Sequence, residues 1–238
     1  MLYLIGLGLN DEKDLTLKAI ETAKKCECFT ELYTSVWKGS LENLKEIIRK
    51  DIKVLNRKDL EENLELFIEK AKNNDVALFV PGDPLAATTH IDIVYEAKRK
   101  KIPVKIIHNA SIFSAIGEAG LQLYKYGKTA TIPLNGKLKN VKDTIKRNKK
   151  LGLHTLLLLD VDRENNIFMK VSDALKLLLK KKIVKETDQL IAFSNAGGNS
   201  KIYYDSVRGL KTKEIENPSV LIIPGKLHFR EKDFLEVI

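Results

Sequence analysis

Hydrophobic positions in this chain follow two alternating patterns. Continuous apolar runs such as "LYLIGLG" (2–8) and "DVALFV" (75–80) predict strands buried on both faces. Between them, "DLTLKAIETAKKC" (14–26) places Leu15, Ala19, Ile20 and Ala23 at helical spacing, and "LEENLELFIEKAKN" (60–73) repeats the pattern. Ser40 predicts the N-cap of a helix over "LENLKEIIRK". Strands are predicted at "CFTELY" (28–33), "KVL" (53–55) and "VKII" (104–107), with a helix over "IDIVYEAKRKK" (91–101). Such repeated βα units predict a mostly parallel sheet with helices on both faces.

The second half has another texture. "ASIFSAIGEAGLQLY" (110–124) predicts a helix of small residues linking two lobes. Strands are expected at 128–134, 154–161, 189–196, 201–207 and 220–225, and helices near 139–149 and 172–182. No helix is predicted among the last three strands, so this lobe should hold a mixed sheet. The boundary is placed at 108–112. The expected fold is therefore α/β, with an N-terminal domain over 1–110 and a C-terminal domain over 111–238.

Composition narrows the class. With 238 residues, 44% of them hydrophobic, each domain can build its own core. The N-terminus lacks the basic region of a signal peptide, and no stretch approaches the roughly 20 apolar residues of a membrane helix. A cytoplasmic protein is expected. Cys26 and Cys28 stand alone, too few for a structural zinc site, and read as reduced thiols at a helix-to-strand junction. The formal charge of +9 suggests an anionic partner, either RNA or an acidic protein. The basic runs at 97–101, 147–150 and 179–182 fall at predicted helix ends, where cations also complement the helix dipole.

In open α/β sheets ligands gather beyond the carboxyl ends of the strands, and four loops there draw notice. "IGLGLND" (5–11) carries Gly6 and Gly8 but places Asp11 where a dinucleotide fingerprint has its third glycine. A carboxylate there opposes a pyrophosphate, which argues against NAD or FAD. "VPGDPLAATTH" (80–90) bends at Gly82 between Pro81 and Pro84, holding Asp83 at a strand end; by pattern alone it is a ligand loop or only a turn, with Thr88 or Thr89 capping the next helix. "HNASIFS" (108–114) and the pair "LLLLDV" and "FSNAGG" complete the set, each with a packing or capping explanation available. There is no Ser-His-Asp order, P-loop or metal triad, and the four histidines read as packing or surface residues.

Taken together, "YLIGLGLND…DLTLKA" and "PGDPLAATTH" resemble the tetrapyrrole-methylase superfamily of S-adenosylmethionine-dependent methyltransferases. "ELYTS" (31–35), "IHNASIFSAIG" (107–117), "YKYGKTAT" (124–131), "GLHTLLLLD" (152–160) and "PGKLHF" (224–229) resemble its diphthamide-biosynthesis branch, and the likeness covers essentially the whole chain. The resemblance implies two α/β domains with the cofactor in a cleft between them, and a homodimer. It implies S-adenosylmethionine as methyl donor, S-adenosylhomocysteine as product, and translation elongation factor 2 as protein substrate. It also implies no membrane and no direct nucleic-acid partner. The acceptor would be the α-amine of a 3-amino-3-carboxypropyl histidine, giving diphthine. Matching positions for cofactor contacts are Leu9, Asp83, Ala86, Ser111, Ile112, Leu159, Ala196 and Ser219. Ala86 stands where relatives can have Val, and Ser219 where they can have His. The alternatives are another methyltransferase of the superfamily, acting on a corrin precursor or ribosomal RNA, or a non-catalytic RNA-binding protein.

Overall fold

Five parallel strands make the first sheet: β1 (Leu2–Gly6), β2 (Glu27–Glu31), β3 (Ile52–Leu55), β4 (Val76–Val80) and β5 (Val104–Ile107), in the order β3-β2-β4-β1-β5. The computed structural model describes residues 1–163 and 165–238, which divide into two units, Met1–Phe113 and Ser114–Ile238. Helices α1 (Leu17–Ala23), α2 (Leu41–Ile48), α3 (Arg57–Glu61), α4 (Leu64–Asn73) and α5 (Ile91–Arg99) connect the strands of the first unit.

The strand order dictates where these helices lie. From β1 to β3 the chain moves toward one edge, and from β3 to β5 it moves back toward the other. Right-handed crossovers must then put α1 and α2 on one face and α3 to α5 on the opposite face. Residue alternation agrees. Leu4 and Leu78 pack with Phe67, Ile68, Ile93 and Ala97, whereas Ile5 and Phe79 pack with Ala19, Ala23, Leu44 and Ile48. The apolar runs read in β1 and β4 thus serve two cores, one on each side of the sheet. Cys26 and Cys28 lie buried on the α1 side as free thiols, and burial pushes both up to about 11, leaving them unreactive.

Helix α6 (Ile112–Ala115) spans the division between the units. The second unit continues with β6 (Ala130–Ile132), α7 (Lys139–Lys150), β7 (Thr155–Leu159), a short hairpin of β8 (Val161–Asp162) and β9 (Ile167–Phe168), then α8 (Val171–Lys180). Next come β10 (Gln189–Ser194), β11 (Lys201–Ser206), α9 (Val207–Thr212), β12 (Ser219–Ile223) and α10 (Phe229–Leu235). Its sheet runs β11-β10-β12-β7-β6, with only β6 and β7 parallel. Ile145, Leu175, Leu178, Val207 and Leu210 from α7, α8 and α9 share one core with Leu157, Ala192 and Leu221 of the sheet.

Three expectations need correction. The helix predicted over 110–124 is instead α6 followed by single 3-10 turns at Ile116–Ala119 and Leu123–Lys125. Gly120 breaks it: its φ is 73°, and a Cβ there would come within 2.0 Å of the Phe234 ring. The helix expected over 60–73 is interrupted after Glu61, and α4 begins at Leu64. A helix does separate the last strands. α9 is only six residues long with Gly209 inside it, so no apolar period develops, yet Ser206 caps it by accepting from the Gly209 N–H.

Burial makes Glu231 the tie-point of the second unit. Its carboxylate accepts from the backbone N–H groups of Gln122 (3.0 Å) and His228 (2.7 Å), from the Lys125 ammonium, and from His154 Nε2 at 3.1 Å. His154 Nδ1 in turn accepts from the Gly225 N–H at 2.9 Å, so the ring is neutral with its proton on Nε2. Burial alone raises the Glu231 carboxyl, but Lys125 and the other donors outweigh it and hold the group at about 2. "YKYGK", "GLHT" and "PGKLHF" thus converge on one knot, and its histidine is structural.

Glu231→Ala should destabilise the protein by about 3–5 kcal/mol, because it strands a buried cation and a buried imidazole. In the parent chain the folded carboxyl lies below its unfolded value. Its stabilisation is therefore complete above about pH 4.5 and lost as pH falls toward 2. Chemical denaturation between pH 2 and pH 6 should show that loss in the parent and not in the variant.

Candidate active site

Crossovers leaving β1 and β4 on opposite faces uncover the carboxyl ends of these two adjacent strands, the position where α/β sheets bind ligands. The loops that follow them are joined to each other. Gly8 N–H donates to the Gly82 carbonyl at 3.2 Å, and Gly82 N–H donates to the Gly8 carbonyl at 2.8 Å. Such an approach needs bare backbone. A Cβ on Gly6 would lie 2.5 Å from the Gly82 oxygen and 2.7 Å from Asn109 Cβ.

Each loop is held by a carboxylate. Asp14 Oδ2 accepts from the N–H groups of Leu9 (2.9 Å) and Asn10 (2.8 Å), closing the turn after β1. Buried Glu12 anchors that turn to the start of α2 by accepting from Ser40 N–H and Asn43 Nδ2. Asp83 uses both oxygens: Oδ1 accepts from Leu85 N–H at 3.0 Å, and Oδ2 meets His108 Nδ1 at 2.7 Å and Asn109 N–H at 3.2 Å. This carboxylate fixes its own turn and ties it to the loop after β5. Asn109 makes the remaining link, donating from Nδ2 to the carbonyls of Gly6 and Asp14, both at 3.0 Å. Asp11 caps the 3-10 turn that starts at Glu12 by accepting from Lys13 N–H.

Leu9, Asp83, Ala86, Ser111 and Ile112 all fall on these three loops or directly after them. Leu9, Ala86 and Ile112 are half-buried and Ser111 is buried. In the second unit Leu159 ends β7, Ser219 opens β12, and Ala196 follows β10 by two residues. β12 runs antiparallel to both β7 and β10, so these three residues share one end of that sheet. The Ser219 hydroxyl is engaged with Asn217 Oδ1 at 2.8 Å. The structure thus gathers the predicted positions into two groups, one per unit.

Sequence reading missed Asp14, Asn109 and Glu31. Glu31 ends β2 fully buried, accepting from the N–H groups of Tyr33 and Thr34 and from the Thr34 hydroxyl at 2.6 Å. Its Oε1 lies 3.9 Å from Nε2 of His90, a ring only 2% exposed. Neither His90 nitrogen has a hydrogen-bond partner among the described residues, and burial lowers the imidazole to about 4. The available signal was "ELYTS" beside "ATTH", but strand and loop patterns do not reveal that two polar side chains share an apolar interior.

Comparison with known proteins follows this geometry. A sequence model of the Tetrapyrrole (Corrin/Porphyrin) Methylases matches residues 1–209. The chain is 43% identical to a diphthine synthase of Methanocaldococcus jannaschii, covering 100% of this chain and 98% of that protein. It is 41% identical to one of Methanococcus maripaludis, again over 100% and 98%. A crystal structure of diphthine synthase superposes with a TM-score of 0.93 at 36% identity, covering 100% of this chain and 95% of the other.

His90 generates a pH dependence of its own. Its folded value lies below the ordinary imidazole value of 6.5, so the neutral ring contributes stability above that pH, and this is lost as pH falls toward about 4. A displacement of this size corresponds to roughly 3 kcal/mol. Denaturant titrations at pH 7 and pH 4.5 should show the loss in the parent chain and a flatter profile in His90→Gln.

Proposed function

The chain belongs to the tetrapyrrole (corrin/porphyrin) methylase family, a methyltransferase acting in diphthamide biosynthesis, and we propose that it uses S-adenosylmethionine to methylate a modified histidine of translation elongation factor 2. The proposed acceptor is the α-amine of the 3-amino-3-carboxypropyl group, and the product is diphthine. Full-length identity of 43% to a diphthine synthase is the observation that carries this reading. We propose further that the enzyme works in the cytoplasm as a homodimer, and that Leu9, Asp83, Ala86, Ser111, Ile112, Leu159, Ala196 and Ser219 contact the cofactor.

The residues of the first unit fit such a group. Gly82, Ala86, Ala110 and Ser111 form a margin of small residues at the carboxyl ends of β4 and β5. A Cβ built on Gly82 meets nothing nearer than Ser111 Cβ at 3.8 Å, so the backbone there is open to a ligand. S-adenosylmethionine supplies an electrophilic methyl on a sulfonium with a good leaving group, so the chain's contribution is chiefly orientation. Proximity and alignment can supply up to roughly 7–11 kcal/mol of a barrier. Rigid loops suit that task. Pro81 and Pro84 limit the backbone on both sides of Asp83, and three hydrogen bonds hold its carboxylate. With both oxygens engaged, Asp83 shapes the loop and takes no proton from the amine. The amine attacks as a neutral nucleophile, its proton passing to solvent.

Asp83→Ala should weaken S-adenosylhomocysteine binding about tenfold or more in calorimetry, through the loss of charge-assisted hydrogen bonds. Unchanged affinity would remove Asp83 from the site. In a transfer assay, radiolabelled S-adenosylmethionine should mark elongation factor 2 only when its histidine carries the aminocarboxypropyl group. Absence of label on that intermediate would overturn the assignment.

A further inference from the structure

Charge is divided very unequally between the two units. Met1–Phe113 holds eighteen basic and eighteen acidic residues, whereas Ser114–Ile238 holds twenty-three basic and fourteen acidic. Most of the excess sits in one stretch: residues 125–150 contain nine basic residues and a single acid, Asp143. Helix α7 forms its larger part. Val141, Thr144, Ile145 and Asn148 are buried, while Lys139, Lys142, Lys146, Arg147, Lys149 and Lys150 are all exposed.

These six cations have no carboxylate within ion-pair distance among the described residues. Cations on other helices are paired: Lys72 and Lys100 with Glu69, Lys176 with Asp173, and Arg208 and Lys211 with Glu186. The helix dipole explains Arg147, Lys149 and Lys150 in the last turn. It opposes Lys139 and Lys142, which sit at the positive end. Lys142 and Lys146, and Lys146 and Lys150, are like charges four residues apart, each pair costing the helix a few tenths of a kcal/mol. α7 therefore carries an arrangement that its own fold does not neutralise.

Apolar side chains continue this face. Leu151, directly after α7, is 66% exposed. Tyr124 (82%) and Phe229 (60%) belong to segments joined to 152–154 through His154 N–H to the Lys125 carbonyl and Lys226 N–H to the Gly152 carbonyl. We infer that α7 and this apolar margin form a docking face for an acidic protein surface, that of the methyl acceptor. The inference rests on the protein-substrate reading above. Two features favour protein over nucleic acid: eight of the nine cations are lysines, without the planar fork that reads phosphates and bases, and Leu151 adds an aliphatic anchor with no base to contact.

The test is direct binding of elongation factor 2 carrying the modified histidine to the triple variant Lys142→Glu, Lys146→Glu, Lys149→Glu. Its Kd should rise about tenfold or more at low salt, and its salt dependence should flatten. S-adenosylhomocysteine affinity and thermal stability should match the parent, as should methylation of a short peptide bearing the same histidine. An unchanged Kd in the triple variant would overturn the docking face. So would tight binding of a poly(U) 20-mer by the parent that the variant loses while still binding the factor normally. A parent protein that bound the factor through these lysines but transferred no methyl group would leave the docking face standing and overturn the enzymatic reading.

Discussion

Everything proposed for the first unit depends on the handedness of its crossovers. The chain leaves β1 toward one edge of the sheet and leaves β4 toward the other, so right-handed connections send α1 and α5 to opposite faces. Helices cannot then cover the carboxyl ends of β1 and β4, and two loops meet in the gap. Their mutual glycine hydrogen bonds, and the requirement that Gly6 lack a side chain, follow from that meeting. The aspartates act after this step. Asp14 and Asp83 convert two adjacent loops into fixed surfaces, and Asn109 joins them to a third.

Carboxylates in both units are used first as scaffolding. Glu231 draws four donors into the interior of the second unit, and Glu31 and Asp83 organise their own turns in the first. Each satisfies backbone N–H groups that a loop would otherwise leave to water. For a methyl transfer governed by orientation, this is a fitting division of labour: charged groups hold the backbone, and the residues left to meet a ligand are small or apolar. His90 stands apart. A buried ring with two unpartnered nitrogens costs stability, and a carboxylate 3.9 Å away does not offset that with a hydrogen bond.

Electrostatics differ in character between the units. In the first, acidic and basic residues balance and many are paired on the helix surfaces. In the second, α7 concentrates unpaired cations along its entire exposed face. The expectation that basic runs simply finish helices describes 97–101, where Lys98 and Arg99 occupy the last turn of α5, but it does not describe α7.

Strand and helix periodicity was enough to read both sheets, because an apolar run such as "DVALFV" has one physical use in a globular chain. Motif order also carried the family, since glycine turns, the "GDP" loop and "PGKLHF" retain their spacing along the chain. Local pattern did not reveal where those motifs end up. α9 and the broken 110–124 segment were hidden because Gly209 and Gly120 matter through a cap and through a phenylalanine ring distant in sequence. The partners of Asp83, the knot at Glu231 and the buried meeting of Glu31 with His90 join residues 25 to 109 positions apart. Sequence composition alone fixes how much charge the protein carries. Only the folded chain decides which charges find partners, because pairing depends on which side chains tertiary packing brings within a few ångströms.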